Sequence, residues 1–157
     1  MQVSAYLNRL TDEDIPFLQE LERDTNLAFW GQENYKKLLV EDQVYFGFKA
    51  VAIVGEGMKD RPVGFFLARS LYENLEILKI GVAAEYQRKG IGTILMESAY
   101  AEGIRRGCSR CYLEVRRSNM PAIRFYQTRG FRISGTRLNY YKDPIEDAWI
   151  MERHLPL

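Results

Sequence analysis

Cysteine and histidine are scarce in this chain, with Cys108, Cys111 and a single His154 among 157 residues. A structural zinc site needs four ligands, and these residues do not supply them at metal-binding spacing. A redox Cys-x-x-Cys pair follows a strand and opens a helix. Here Cys108-Ser109-Arg110-Cys111 follows a helical stretch that stops at Gly107, and Cys111 begins an apolar-alternating strand. Both thiols read as small buried side chains, and His154 as a surface residue near the end. No metal is expected.

Long apolar runs are missing too. The longest, Val44 to Val54, is interrupted by Lys49 and falls well short of the roughly 20 residues a membrane helix needs. The start, Met1-Gln2-Val3-Ser4, lacks the basic-then-apolar layout of a secretory signal, so a cytoplasmic protein is expected. A dominant charge is also absent: the formal net charge is +1, which gives no global field to recruit nucleic acid or an anionic membrane. Repeats, low-complexity tracts and linkers are not found. Residues 1–157 therefore read as one domain, with 46% hydrophobic and 27% charged residues, an ordinary globular balance.

What is present is alternation and helical periodicity in turn. Val3 to Leu7 reads as a first strand. Thr11 or Asp12 caps a helix carrying Ile15, Leu18 and Leu21 on one face, and a second helix spans about Gln32 to Val40. Val44 to Val54 and Val63 to Ser70 read as strands joined by a Gly55–Pro62 hairpin loop. Leu75 to Val82 is a further strand, with Leu78, Ile80 and Val82 alternating onto one face. Ile91 to Arg106 is helical and Cys111 to Val115 is a strand, its Tyr112 and Glu114 facing opposite to Leu113. A helix from about Met120 to Arg129 and two strands, Phe131 to Leu138 and Ala148 to Arg153, complete the order. This order predicts an α/β (α+β) fold, a mixed sheet with helices packed on it.

The most informative stretch is Ile80-Gly81-Val82-Ala83-Ala84-Glu85-Tyr86-Gln87-Arg88-Lys89-Gly90-Ile91-Gly92-Thr93, which passes from a strand through a loop into a helix start. Unpaired backbone N–H groups and the helix dipole favour an anion there. Gly90 and Gly92 leave the backbone open, Arg88 and Lys89 add charge, and Thr93 adds a hydroxyl. The physics is that of a pyrophosphate cradle. The P-loop's Gly-Lys-Ser/Thr and the three spaced glycines of a dinucleotide fold are both missing. A capped helix with solvated charges remains open.

Gln87-Arg88-Lys89-Gly90-Ile91-Gly92 resembles the Gln/Arg-x-x-Gly-x-Gly/Ala signature with which GNAT acetyltransferases hold the pyrophosphate of coenzyme A. The second anchor, Leu113-Glu114-Val115-Arg116-Arg117-Ser118-Asn119 running on through Ala122-Ile123 and Tyr126 to Gly130-Phe131, resembles the RimI-type ribosomal-protein alanine N-acetyltransferases. Asn139-Tyr140-Tyr141, Glu146-Asp147-Ala148 and, weakly, Phe29-Trp30 extend the likeness over most of the chain.

That resemblance implies a GNAT fold: a largely antiparallel central sheet of about six to seven strands flanked by about four helices. It implies acetyl-CoA as donor and a protein N-terminus, alanine or similar on a ribosomal protein, as acceptor. The catalytic glutamate falls on Glu114 and the catalytic tyrosine on Tyr126. Asn119 falls on a coenzyme-contacting asparagine, and Ile80, Gly81 and Val82 on the strand that pairs with the pantetheine arm. Ile91 and Thr93 join the cradle. Phe29, Trp30, Tyr140 and Tyr141 are read as walls of the acceptor cleft or as plain core aromatics, with Glu76 as a second carboxylate near the amine.

Blander readings stand beside these. Glu114 also fits a solvated strand residue, Tyr126 a core-edge tyrosine and Asn119 a helix cap. An acetyltransferase for a small amine or lysine, a non-catalytic coenzyme-binding module, and a nucleotide- or RNA-binding domain using Arg88 and Lys89 are the rival functions.

Overall fold

The structure, a computed structural model, describes residues 3–25, 27–40 and 43–156. Seven strands and four α-helices form it. Strand β1 (Ala5–Arg9) leads through a single 3-10 turn to α1 (Ile15–Thr25) and α2 (Gln32–Val40). Strands β2 (Tyr45–Ala52), β3 (Arg61–Leu71) and β4 (Asn74–Val82) form a meander, and α3 (Ile91–Arg105) follows. Then come β5 (Arg110–Arg116), α4 (Met120–Gln127), β6 (Arg132–Tyr141) and β7 (Glu146–His154). All seven strands join one sheet in the order β1-β2-β3-β4-β5-β7-β6. Every neighbouring pair is antiparallel except β4 with β5. The parallel pair needs a crossover, and α3 supplies it.

Helices cover both faces, so β3 at the centre is buried on both. Phe65 and Leu67 point to a core under α1 and α2, where Leu18, Leu21 and Tyr35 pack. Phe66 and Ala68 point to the opposite core with Ile91, Leu95 and Met96 of α3 and Leu113 of β5. This explains the near-continuous apolar run Val63-Gly64-Phe65-Phe66-Leu67-Ala68 without alternation.

Several boundaries depart from the expectations. Val3 precedes β1, and its N–H reaches the Lys89 carbonyl at 3.4 Å. The residues expected to cap α1 instead close a 3-10 turn, Asp12–Asp14, in which the Asp14 carboxylate accepts the Thr11 N–H at 2.9 Å. α4 ends at Gln127, after which Gly130 at φ +84° lets the chain leave. β6 continues to Tyr141 and β7 begins at Glu146.

The largest correction concerns β4. Its register against β3 slips between Leu67 and Ala68, with Leu67 opposite Lys79 and Ala68 opposite Ile77. Leu78 is the extra residue of a β-bulge. Ile77 with Leu75, not Leu78, therefore shares the α3-side core with Ile80 and Val82, and Lys79 turns to the other face.

Candidate active site

The bulge has a consequence for the neighbouring strand. β4 pairs with β5 only over Asn74–Ile77 against Arg110–Leu113, although β4 runs on to Val82 and β5 to Arg116. Beyond Ile77 the two parallel strands part. The cleft so formed is edged by Ile80, Gly81 and Val82 on one side and Glu114 on the other. An extended chain with its own amide groups fits such an opening, because the parted edges offer unpaired backbone partners.

At the mouth of this split lies the glycine-containing turn. Gln87 Nε2 donates to the Val82 carbonyl at 3.0 Å and ties the loop to the strand end. Arg88 and Gly90 both take positive φ, +60° and +90°. Gly90 caps α3 without any side-chain bond. Among the described residues the N–H groups of Ile91, Gly92 and Thr93 find no acceptor, and the first bond across the cap is Ile94 N–H to the Gly90 carbonyl. Three free donors on a helix dipole, with Arg88 and Lys89 adjacent, fit a diphosphate. Lys89 Nζ sits 5.7 Å from the centre of the Tyr86 ring.

Two residues of this stretch have further duties. A Cβ on Gly92 would stand 3.2 Å from the Phe125 ring, so its bareness serves α3–α4 packing as well as backbone access. The Thr93 hydroxyl accepts from the Arg129 guanidinium, which lies 3.5 Å from the centre of the Phe125 ring.

Across the split, Glu114 and Tyr112 leave β5 on the face that α1 and α2 cover, whereas Cys111, Leu113 and Val115 are buried on the α3 side. Glu76 stands opposite Tyr112 in register. The Glu114 carboxylate accepts from Arg137 Nε at 2.7 Å, and Glu76 is ion-paired with Arg69. A register shift between Arg137 and Tyr141 on β6, with Asn139 at φ +52°, brings Tyr140 over this face. The Asn139 N–H is held by Asp147 at 2.8 Å. Burial and then the Glu114 carboxylate raise the Tyr140 phenol, with Glu76 adding a smaller push. Tyr141, 5.1 Å from Tyr140 between ring centres, is pushed up to about 12 by burial and by Glu114. Glu114, Glu76, Tyr140 and Tyr141 thus form one group.

Tyr126 approaches from the other core. It is 8% exposed and packs against Phe125 and Phe131. Burial pushes its phenol far above the ordinary range, with the neighbouring Tyr141 phenol adding a smaller push. Its hydroxyl has no hydrogen bond among the described residues. Asn119 caps α4, its Oδ1 accepting the Ala122 N–H at 3.3 Å, which leaves the amide NH2 for an outside partner. The capping role read from the sequence is therefore present.

The two aromatics of the α1–α2 connection behave differently. Phe29 is 79% exposed, whereas Trp30 is half-buried against Tyr35 and Lys79. Cys108 and Cys111 are free and buried, and burial raises both thiols. His154 ends β7 exposed. Among the described residues no group of three or more His, Cys, Asp or Glu could hold a metal ion. No helix there is long and apolar enough to cross a membrane. Sequence reasoning missed Arg137, Arg69 and the buried Lys79.

Residues 15–131 match the model of the acetyltransferase (GNAT) family. This chain belongs to that family. It is an N-acetyltransferase with acetyl-CoA as donor, built on the GNAT fold. It is similar to the ribosomal protein bS18-alanine N-acetyltransferase of Escherichia coli strain K12, with 28% identity over 147 residues, covering 92% of this chain and 94% of that protein. An N-alpha-acetyltransferase of Saccharolobus solfataricus is 39% identical over 87 residues, 55% of this chain and 52% of its own length. The crystal structure of the E. coli ribosomal-protein-S18-alanine N-acetyltransferase superposes with a TM-score of 0.82 at 28% identity, covering 98% of this chain and 96% of that one.

Proposed function

We propose that this acetyltransferase modifies the α-amino group of a protein N-terminus, with alanine or a similarly small residue of a ribosomal protein as acceptor, by direct transfer in a ternary complex. The observation that carries the reading is the placement of Glu114, beside Tyr140 and Tyr141, across the strand split from Ile80–Val82. The likeness to enzymes named for that acceptor supports it.

The free N–H groups of Ile91, Gly92 and Thr93, with Arg88 and Lys89, hold the diphosphate, and the Asn119 amide adds a contact. Ile80, Gly81 and Val82 guide the arm with their backbone groups. Acetyl-CoA supplies the activated acyl group. A protein α-amine ionises near 7.7–8.0, against about 10.4 for lysine, so a modest base suffices to make it nucleophilic. Glu114 takes that proton, directly or through water, and Glu76 adds negative charge on the side where the ammonium enters. A backbone N–H at the bulge polarises the carbonyl. Tyr126 stays protonated because burial raises its phenol, so it stabilises the departing sulfur as a hydrogen-bond donor. Phe29, Trp30, Tyr140 and Tyr141 wall the acceptor.

Coenzyme A release is measured with acetyl-CoA and alanine-starting peptides, with N-terminally blocked lysine peptides and with polyamines. Release with the free-amine peptides supports the reading. Release with polyamines alone overturns it in favour of a small-amine enzyme.

A further inference from the structure

Among the described residues, the most deeply buried charges lie outside the groups used above. Lys79 and Glu22 form an ion pair with side chains only 4% and 2% exposed. The Lys79 ammonium also donates to the Ala28 carbonyl and lies 3.1 Å from the Tyr35 hydroxyl, which itself donates to Glu22. Its Nζ stands 4.5 Å from the centre of the Trp30 ring and 5.2 Å from that of Tyr35. One cation therefore joins β4, α1, α2 and the connection between the two helices.

As a source of stability this arrangement is weak. Buried ion pairs lose to well-packed apolar groups of similar volume in many proteins, and the second oxygen of Glu22 has no partner. Its geometric effect is stronger. The Leu27 N–H is held by the Glu22 carbonyl at 3.1 Å, and the Leu27 side chain fills the space that a Cβ on Gly81 would need, 2.7 Å away. Ala28 is held by Lys79, Trp30 is stacked on it, and the Trp30 carbonyl accepts from Asn34 at 2.6 Å. Phe29 is left largely in the open, its ring beside Gly31. Lys79 adjoins Ile80 in the donor strand, so one residue couples the acceptor wall to the strand that guides the acyl donor.

We propose that Lys79 is the positioning residue of the acceptor site: by anchoring Ala28 and Trp30 on either side of Phe29 it fixes the segment that walls the acceptor and so sets which first residue is accepted, without touching the acceptor. This rests on the reading of Phe29 and Trp30 as that wall.

The test is steady-state kinetics on Lys79→Met and on the charge-balanced Glu22→Gln/Lys79→Met protein, because the single variant leaves Glu22 buried and unpaired and is at risk of unfolding. The acceptor KM rises about fivefold or more and the preference between alanine- and leucine-starting peptides shrinks at least about threefold, while the acetyl-CoA KM stays within about twofold. A folded variant with unchanged acceptor KM and preference overturns the proposal. So does a parallel rise in both KM values, which is general loosening. Independently of variant folding, the Trp149→Phe protein has Trp30 as its sole indole. Saturating peptide changes its emission if the wall borders the acceptor; no change overturns the proposal. Should the wild-type protein acetylate spermidine and no peptide, the Nα reading fails, and the same KM comparison with spermidine still decides the role of Lys79.

Discussion

Arg137 on β6 and Glu114 on β5 meet across the intervening β7, guanidinium Nε to carboxylate at 2.7 Å. Arg137 is half-exposed, so the pair adds little to stability, and its effect is to aim the carboxylate. Glu114→Gln keeps the shape and the hydrogen bond but cannot take a proton. The expected result is a fall in kcat of about a hundredfold or more with peptide acceptor, with an unfolding temperature close to that of the native protein. Unchanged turnover would return Glu114 to the status of a solvated strand residue and revive the non-catalytic coenzyme-binding reading.

Tyr126→Phe separates chemistry from packing. The ring lies in the α3-side core against Phe131 and the hydroxyl holds no partner among the described residues. Removing the oxygen therefore breaks no structural hydrogen bond. A drop in kcat of about tenfold, with thermal stability preserved, is expected if the phenol supports the departing sulfur. Equal kcat values make it a core tyrosine and nothing more.

The strand–turn–helix proposed to hold the diphosphate was legible in the sequence because its signals are local: glycines at fixed spacing, then helical periodicity. The alternation of Cys111, Leu113 and Val115 likewise assigns Glu114 to the face it occupies in the fold. The bulge at Leu78 was not legible, because one extra residue leaves no mark in composition and shifts every later side chain to the other face. Lys79 was passed over for the same reason: a lysine within a strand reads as solvent-facing until its partners from α1 and α2 are in place. The Arg137–Glu114 contact depends on the chain order β5-β7-β6, which no local pattern encodes.

Arg88 carries a backbone cost. A non-glycine residue at φ +60° is disfavoured, and such strain collects at ligand sites. Arg88→Gly relieves it and removes a cation from the proposed diphosphate site, so the two effects have opposite signs. Stability is expected to rise by about 1 kcal/mol, or roughly 2–4 °C at this chain length. The KM for acetyl-CoA is expected to rise severalfold. A gain in stability with unaltered acetyl-CoA KM would remove Arg88 from the binding site while leaving the strained turn explained.

Lys79 also gives the pH dependence of folding a defined sign. Burial, the larger effect, outweighs the pull of Glu22 and lowers its ammonium to about 8, well below the ordinary lysine value. Between about pH 8 and pH 10.4 the unfolded chain binds a proton that the native state has released, so this group's contribution to stability rises with pH across that window. Tyr35 works against it only at higher pH, because burial and Glu22 raise its phenol and the unfolded tyrosine loses its proton first, near pH 10. Urea unfolding of the native protein and of Glu22→Gln/Lys79→Met between pH 7 and 9.5 isolates the effect. The native protein is expected to gain on the variant by about 2 kcal/mol at most over that range. A difference that stays flat, or narrows, would mean that Lys79 keeps its proton in the fold and that the ion pair with Glu22 overcomes the burial.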